Sequence, residues 1–475
     1  MGLNLQAPRG TKDLFGPEYE RLEALERLCA NTARLWGYSG IRTPIFEETG
    51  LFVRSIGEAT DIVEKEMFTI PPRADKGDDK SYTLRPENTA GVVRAYLEHN
   101  LHKTQGLAKF FYLGPQFRRE RPQAGRLREF HQFGVEALGT DSHLADVEVI
   151  LLAAQVLSSA LRGTKTDAQS TPPSFDFVLS LQLRLNNVGC MKPGCRDAYR
   201  EKLKAELAAQ KEKLCGDCQR RLERNIFRVL DCKKENCRGV CASLLAKVPT
   251  GFCLDCRNRQ AAVMLGLRGM LPEGVELVED PALVRGLDYY TSTVFEFVVK
   301  GIGAQDAVGG GGRYDGLVAE MGGPELGATG FALGLERILL AREQQAKASV
   351  KPLELKPPEE LCGVLVVPLS DEHWRSVYGL AVGLRRAGFR AELDLRKRSS
   401  KALLGSLGGL SQKFDCRFAV IIGQNEVASG KVSLKDMETR EQTQVDVSFL
   451  AGQLSGDMMI PPTTLIEEIQ RRLRS

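Results

Sequence analysis

Apolar residues recur at helical spacing near the start of the chain. Five of them share one side of a helix over residues 18–36, namely Leu22, Leu25, Leu28, Cys29 and Leu35. Gly37 ends this pattern, and residues 41–46 have the composition of a strand. The first part of the chain is therefore predicted to be a helix that leads into a sheet.

Residues 108–121 and 129–138 predict an antiparallel hairpin with its turn around Ala124 and Gly125. Since side chains in a strand alternate between faces, one face of the hairpin is expected to be chemical and the other to lie in the core. The first strand contributes Arg118 and Glu120 to the chemical face, and the second contributes Arg128, Phe130, Gln132 and Glu136. The core face carries His131, Phe133, Val135 and Ala137. An alternative for the chemical face is a solvated lattice of ion pairs on an exposed sheet.

The remaining pattern predicts two units. Helices are expected at 143–161 and 334–344, strands at 293–299 and 305–314, and a charged helical insertion within 190–260. A Lys- and Pro-rich stretch ending at residue 361 is typical of a linker. Beyond it, strands at 362–368 and 417–422 alternate with helices at 373–387 and 400–412, which indicates a small α/β unit whose sheet is mostly parallel at first.

Composition narrows the class of protein. A chain of 475 residues should form about two to four domains. Apolar residues make up 43% and charged residues 27%, which is ordinary for a globular protein. No uninterrupted apolar run approaches the roughly 20 residues that cross a bilayer, and the first residues have no signal pattern. We therefore expect a cytoplasmic protein that does not span a membrane.

Positive charge is concentrated in one segment. The formal net charge is only +4, but residues 190–260 contain 17 Lys or Arg against 9 Asp or Glu, an excess of 8. This excess has two interpretations, a solvated helical surface or a patch that faces phosphates.

Nine of the twelve cysteines lie between residues 190 and 256. They form the pairs Cys190/Cys195, Cys215/Cys218, Cys232/Cys237 and Cys253/Cys256, with Cys241 in addition. In a cytosolic protein such pairing indicates metal binding rather than disulfides. We expect one structural zinc with the ligands Cys190, Cys195, Cys215 and Cys218.

Four consecutive glycines, Gly309 to Gly312, precede Arg313 and Tyr314. Neither the dinucleotide-binding pattern nor the P-loop pattern of glycines occurs across this run. Glycines in a strand more often permit close approach of a ligand or another backbone.

Several strings resemble motifs of one enzyme family. Residues 117–123 with 130–132 resemble motif 2 of class II aminoacyl-tRNA synthetases in its histidyl form, and residues 330–337 resemble motif 3. The helix and strand ending at Pro44 resemble the loosely defined motif 1. Residues 83–89, 284–290 and 9–13 are similar to strings of the histidyl-tRNA synthetases. The resemblance covers nearly the whole chain.

The resemblance implies an α+β fold. It consists of a class II antiparallel sheet with flanking helices, an inserted helical domain and a C-terminal α/β anticodon-binding domain. The expected divisions are residues 1–186 and 275–344 for the catalytic core, 187–274 for the Cys-rich basic insertion, 345–361 for the linker and 362–475 for the anticodon-binding domain.

For the amino acid, the resemblance implies a pocket that hydrogen-bonds both ring nitrogens of L-histidine. Such a pocket rejects apolar analogues because its own polar groups would stay unpaired. Glu136 and Tyr290 would hold the ring, and Arg118 would lie near the carboxylate and the α-phosphate. Glu87, Thr89 and Gln132 would hold the amino group, while Tyr289 and Tyr314 would complete the wall.

For the nucleotide, the resemblance implies ATP with Mg²⁺. Arg285 and Arg118 match catalytic arginines at the α-phosphate, and Arg128 and Arg337 match γ-phosphate arginines. Glu120 would contact adenine or the metal, and Phe130 would stack on the base.

The implied macromolecular partner is histidine tRNA, and the implied assembly is a homodimer. Arg121 and Gln123 at the hairpin turn would meet the tRNA acceptor end, and the basic insertion would close over the acceptor stem. Two alternatives remain: a non-catalytic synthetase-like regulatory subunit that binds histidine, and a zinc-ribbon nucleic-acid binder with a degenerate core. The retained arginines argue against the first, and the pocket residues argue against the second.

Overall fold

The computed structural model of the chain describes residues 5–57, 60–72, 80–123, 125–165, 180–247, 252–302, 306–347, 350–352, 354–355, 362–369, 374–395, 399–447 and 463–474.

The first third of the chain builds half of a large sheet and the helices behind it. Its helices are α1 (Pro17–Leu35), α2 (Thr49–Ile56), α3 (Thr89–Glu98), α4 (Leu101–Thr104) and α5 (His143–Leu161), with a π-helical turn at Ile62–Glu66. Its strands are β1 (Ser39–Gly40), β2 (Phe46–Glu48), β3 (Phe68–Ile70), β4 (Tyr82–Leu84), β5 (Ala108–Phe117), β6 (Glu129–Leu138), β7 (Gly163–Lys165) and β8 (Leu181–Asn187).

The next segment leaves the sheet after β8 and returns to it at β9 (Val275–Glu279), which pairs in parallel with β8. Between them the described elements are five α-helices and a 3-10 turn at Lys211–Lys213. The helices are α6 (Arg196–Ala208), α7 (Gly216–Arg224), α8 (Phe227–Leu230), α9 (Glu235–Lys247) and α10 (Leu254–Leu267).

The sheet is completed by three further strands and two helices. These are β10 (Thr291–Val299), β11 (Ala307–Arg313), α11 (Leu317–Glu320), β12 (Ala328–Gly334) and α12 (Leu335–Lys347). The eight strands run in the order β1-β5-β6-β12-β11-β10-β8-β9. Pairing is antiparallel except at the two edges, where β1 and β9 pair in parallel. The predicted antiparallel sheet with flanking helices and a helical insertion is confirmed.

The C-terminal unit has its own sheet. Its elements are β13 (Val350–Pro352), β14 (Gly363–Pro368), α13 (Trp374–Arg386), β15 (Arg390–Leu393), α14 (Ser400–Gly405), α15 (Leu407–Lys413), β16 (Phe418–Ile422), α16 (Gln424–Ser429), β17 (Lys431–Asp436), β18 (Gln442–Asp446) and α17 (Thr463–Arg474). The order β15-β14-β16-β17-β18 begins with parallel pairs and continues with antiparallel ones, as predicted. β13 instead pairs with β7.

Three predicted boundaries were wrong. Residues 41–45 are not a strand, because the Thr43 carbonyl accepts a hydrogen bond from the Arg85 guanidinium at 3.1 Å. The first hairpin strand ends at Phe117 rather than 121, because the Arg119 N–H turns to the Glu66 carbonyl at 2.7 Å. The predicted linker 345–361 begins inside α12 and includes β13, while residues 348–349, 353 and 356–361 lie outside the described residues.

Helix α5 is long and apolar enough to cross a membrane by length and composition alone, but Asp146 and Glu148 interrupt its run of apolar residues. Its most apolar window has a mean hydropathy of 1.7, but 83% of that window is buried inside the protein. Val149, Leu152 and Val156 lie in the core with Phe133 and Phe331 of the large sheet. The apolar composition of α5 is explained by its position in the core, where protein surrounds it.

Buried charges join the C-terminal unit to α5. The Glu148 carboxylate lies 2.8 Å from the Lys109 ammonium and 3.2 Å from the Arg385 guanidinium of α13, and Glu148 and Arg385 are fully buried. The Arg385 guanidinium also lies 4.2 Å from the centroid of the Trp36 ring. Ion pairs of this kind are tolerated because each charge has a partner.

Candidate active site

The β5–β6 hairpin has one face in the core and one face in a cavity, as its alternation predicted. Phe133, Val135 and Ala137 are fully buried against the core. The intervening residues Gln132 and Glu136, together with Phe130, line a cavity of about 260 Å³. The chemical face is therefore the concave wall of a partly open cavity rather than an exposed lattice of ion pairs.

Twelve of the thirteen residues expected to contact histidine or ATP line this one cavity. They are Glu87, Thr89, Arg118, Glu120, Phe130, Gln132, Glu136, Arg285, Tyr289, Tyr290, Tyr314 and Arg337. These residues come from both hairpin strands, from the start of α3 and from the segments around β10, β11 and α12. The sheet thus gathers residues that are up to 250 positions apart in the chain.

The inner end of the cavity is built around the buried Glu136 carboxylate. It accepts hydrogen bonds from the Thr89 hydroxyl at 2.7 Å, from the Tyr112 hydroxyl at 3.4 Å and from the Tyr314 hydroxyl. Burial raises the pKa of Glu136 to about 8. Within the described part of the chain, no cation is among the groups that shift this pKa, so the Glu136 carboxyl is held by hydroxyl groups alone and can form a hydrogen bond to a polar ligand.

Glu87 lies beside this end at the start of α3. Its carboxylate accepts the backbone N–H groups of Thr89 at 2.7 Å and Ala90 at 3.0 Å. Burial raises the pKa of Glu87. The ring of Tyr289 contacts those of Tyr290 and Tyr314, with centroids 4.7 and 5.6 Å apart, and closes the wall.

The outer end of the cavity is rich in arginine. The Arg118 guanidinium donates to the Pro86 carbonyl at 2.9 Å and lies 5.3 Å from the centroid of the Phe130 ring. The Arg285 guanidinium lies 2.8 Å from the Glu296 carboxylate, which comes from β10. This combination of fixed cations with a flat ring can bind phosphate groups next to a nucleobase.

The four glycines of β11 allow this close packing. A side chain at Gly310 would place its Cβ 2.4 Å from the Phe295 carbonyl oxygen and 2.9 Å from an Arg285 nitrogen. The glycine run therefore brings the strand against the catalytic arginine candidate, in line with the close approach expected from sequence.

Arg128 is the one expected residue that the structure places outside the cavity. Its guanidinium donates to the backbone carbonyls of Arg9 at 3.3 Å and Glu120 at 3.4 Å. Arg126 lines the cavity instead and lies 2.9 Å from the Glu120 carboxylate. Strand alternation could not choose between them, because β6 begins only at Glu129 and both arginines precede it.

Tyr112 and Glu296 are among the cavity residues that the sequence analysis did not predict. Tyr112 has the same strand parity as Arg118, so the alternation rule already contained the signal. Glu296 lies between the core residues Phe295 and Phe297, which places it on the cavity side of β10.

The remaining candidates lie apart from the cavity. Arg121 and Gln123 are exposed at the hairpin turn, where the Gln123 N–H donates to the Arg126 carbonyl at 3.1 Å. His131 faces away from the cavity, and its Nδ1 lies 2.8 Å from Glu336, whose hydrogen bond raises the pKa of His131. A structural role for His131, as expected, agrees with this contact.

The predicted grouping of cysteines was wrong. Cys190 and Cys195 lie with Cys253 and Cys256, whereas Cys215 and Cys218 lie with Cys232 and Cys237. The reason is topological, because the chain returns to the end of β8 only at the start of α10. The pairs that meet are therefore distant in sequence.

The chain matches two family models along its length. Residues 10–338 match the model described as histidyl-tRNA synthetase, and residues 363–456 match the model described as anticodon binding domain. A histidine–tRNA ligase from Moorella thermoacetica is 45% identical over 93% of this chain and 96% of its own length. One from Desulforamulus reducens is 42% identical over 93% of this chain and 97% of its own length.

Solved structures give the same result. The apo histidyl-tRNA synthetase of S. aureus is 31% identical, with a TM-score of 0.54 over 93% of this chain and 97% of that chain. A Bacillus halodurans structure titled as an ATP phosphoribosyltransferase regulatory subunit/histidyl-tRNA synthetase is 20% identical with a TM-score of 0.50, and it covers 89% of this chain and 99% of that chain. At that identity the second likeness concerns the fold alone.

Proposed function

This chain belongs to the histidyl-tRNA synthetase family, and from this premise we propose roles for the residues of the cavity. The chain is an ATP-dependent aminoacyl-tRNA ligase: it activates L-histidine with ATP to histidyl-adenylate, releases pyrophosphate and transfers the histidyl group to the 3′ end of histidine tRNA. The catalytic relatives that it matches over most of their length disfavour the regulatory-subunit alternative.

We propose that the inner end of the cavity binds histidine. Glu136 and Tyr290 hold the two ring nitrogens, and the buried Glu136 carboxylate is the single observation that carries this assignment. Glu87, Thr89 and Gln132 hold the amino group, and Arg118 holds the carboxylate. Tyr289 and Tyr314 close the wall.

The outer end binds ATP. Arg285 and Arg118 lie where they can neutralise the α-phosphate, and Phe130 stacks on adenine. We assign the γ-phosphate to Arg337 and Arg126, because Arg128 lies outside the cavity.

Activation is an in-line attack of the histidine carboxylate on the α-phosphorus. The attacking group is already an anion, so no protein base is needed, and the enzyme acts by positioning the reactants and stabilising charge. Glu120, whose carboxylate faces the arginine-rich end, is the candidate contact for adenine or for Mg²⁺. Mg²⁺ bound with ATP would offset phosphate charge.

The same family membership supports the division of the chain into a core at 1–186 and 275–344, an insertion at 187–274, a linker at 345–361 and an anticodon-binding domain at 362–475. Arg121 and Gln123 are exposed at the hairpin turn and would contact the acceptor end of the tRNA. We also propose a cytoplasmic homodimer, and structural zinc bound by cysteine thiolates of the insertion.

The test is histidine-dependent exchange of pyrophosphate into ATP, followed by charging of purified tRNA. Glu136→Gln should raise the KM for histidine by about 10²-fold or more and leave the KM for ATP nearly unchanged, because a buried partner of the substrate is lost. Glu276→Gln is the matched control, since Glu276 lies on edge strand β9 away from the cavity. Exchange that depends on another amino acid would overturn the substrate assignment.

A further inference from the structure

Eight cysteines of the insertion form two compact groups. The neck group consists of Cys190, Cys195, Cys253 and Cys256, and the lid group consists of Cys215, Cys218, Cys232 and Cys237. Within each group all four Sγ atoms lie within 4.8 Å of one another. Of the nine cysteines in this segment, only Cys241 belongs to neither group.

The spacing of the sulfur atoms fits one tetrahedral ion per group. Cys190 and Cys253 are separated by 3.7 Å, Cys195 and Cys256 by 3.7 Å, and Cys215 and Cys232 by 3.9 Å. A regular tetrahedron with Zn–S bonds of about 2.3 Å has sulfur atoms about 3.8 Å apart. A disulfide requires about 2.05 Å, so the groups are spread for coordination and not for pairing.

The backbone supports thiolates at both groups. Each contains a C-x-x-C pair at the start of a helix, Cys215 at the N-cap of α7 and Cys253 at the N-cap of α10. The Cys215 N–H donates to the Cys237 sulfur at 3.2 Å, and the Cys253 N–H points to the Cys195 sulfur at 3.5 Å. Such donors stabilise the deprotonated ligands that zinc needs.

We infer that the insertion holds two Zn²⁺ ions, one in the neck group and one in the lid group, each bound by four thiolates. Eight thiolates with two Zn²⁺ carry a combined charge of about −4. They would therefore offset about half of the excess of 8 positive charges in this segment.

The two ions would hold different parts of the molecule. The neck group fastens the beginning of the insertion, just after β8, to its end at α10. There the Asn187 side chain donates to the Cys256 carbonyl at 3.1 Å. This site thus closes the insertion where it joins the large sheet.

The lid group lies wholly within the insertion and joins α7, the end of α8 and α9. The loop between α7 and α8 and the start of α8 reach the core, where the Asn225 amide of the loop donates to Asp288 at 2.5 Å and the Arg228 guanidinium of α8 donates to Asp61 at 3.0 Å. Asp288 directly precedes the cavity residue Tyr289. The zinc ion of the lid group therefore positions the histidine end of the cavity. This positioning role rests on the proposed function.

Metal content of the full-length enzyme tests the inference. Protein purified without chelators should contain two zinc ions per chain by elemental analysis and by native mass spectrometry. Replacement with Co²⁺ should give two equivalents with the absorption of tetrathiolate cobalt. One zinc per chain, no zinc, or iron in its place would overturn the inference.

Variants assign each ion to its group. Cys190→Ser with Cys253→Ser, and separately Cys215→Ser with Cys232→Ser, should each lose one zinc and keep the other. Cys241→Ser is the matched control and should keep both, because its thiol, although buried in the same segment, belongs to neither group. Loss of both ions from either double variant would mean one shared site. If a variant fails to fold, the cobalt titration of the unaltered protein still decides the number of sites.

The functional step has a separate readout. The lid double variant should raise the KM for histidine by the same factor as Asn225→Ala, while the neck double variant should change it less. Equal KM values for the lid variant and the unaltered enzyme would overturn the positioning role. If the protein contains two zinc ions but shows no histidine-dependent exchange, the proposed function is refuted and the zinc sites are supported. If zinc-free protein as purified catalyses the exchange, the zinc sites are refuted and the proposed function is supported.

Discussion

The hairpin and the insertion both hold polar side chains in fixed positions, but different interactions hold them. In the hairpin, Phe133 and Val135 are fully buried, and their packing holds Gln132 and Glu136 towards the cavity. In the insertion, the charged helix α6 buries Tyr199, Leu203 and Leu207 among its 13 residues, and eight cysteines lie together in two groups. An apolar face orients a strand on its own, whereas small helical units need an additional staple.

The largest expected effect is on the stability of the hairpin. Phe133→Ala should lower the free energy of unfolding by about 3–5 kcal/mol, because it leaves a cavity in the main core. Chemical denaturation followed by tryptophan fluorescence measures it, since Trp36 lies in the same core.

Leu203→Ala, at an equally buried position of the insertion, is the comparison for this variant. It should loosen the insertion and leave the main unfolding transition nearly in place. Equal shifts of the main transition would show that the two regions unfold as one unit.

The next effect is on catalysis. Arg285→Ala should slow histidine-dependent pyrophosphate exchange by about 10²–10³-fold, the range for loss of one group that stabilises transition-state charge. Circular dichroism should not change. Arg184→Ala is the matched control, because Arg184 also faces a carboxylate, Asp280 at 3.7 Å, but outside the cavity.

A smaller effect is expected on the basic surface of the insertion. Lys211, Lys213 and Lys234 are exposed near one another, since the Asn236 amide of α9 donates to the Lys213 carbonyl at 2.8 Å. Replacing all three with glutamine should weaken tRNA binding and reduce the slope of log affinity against log salt by up to about 3. Filter binding at several salt concentrations measures it.

Pyrophosphate exchange should stay intact in this triple variant. Glu206→Gln with Glu212→Gln, also exposed on the insertion, is the charge control and should not weaken binding. A loss of exchange in the lysine variant would contradict the division of labour between insertion and cavity.

The last expected effect concerns pH. Burial raises the pKa of Glu136 from 4.5 to about 8, so the native state binds a proton that the unfolded chain releases. The stability from this group is complete below pH 4.5 and is lost as the pH rises through about 8. Melting temperatures between pH 5 and 9 should therefore fall more steeply for the unaltered protein than for Glu136→Gln, and parallel curves would exclude Glu136 as the source.

Sequence alone predicted the hairpin face because alternation is a local property of the backbone. It assigned Phe130, Gln132 and Glu136 to one side and Val135 to the other, and α5 was predicted with its exact bounds. The alternation rule did not distinguish Arg126 from Arg128. Both residues precede β6, and side chains alternate between faces only within a strand.

The cysteine groups could not be predicted from spacing, because the partners depend on how the chain returns to the sheet. Cys190 and Cys253 are 63 positions apart, yet their sulfur atoms are separated by 3.7 Å. The histidine-binding and ATP-binding candidates were found through family resemblance. Strand parity could also have found Tyr112, whereas Glu296 needed the assembled sheet.

The buried contact of Arg385 with Glu148 and Trp36 has a consequence for protein engineering. A chimaera that takes its C-terminal unit from another relative must carry an arginine at this place. Without it, Glu148 would lose one of its two cationic partners, Lys109 and Arg385, in a site closed to water, and breaking a buried ion pair costs about 3–5 kcal/mol. Compatible exchanges between relatives can therefore be chosen by inspecting this single position.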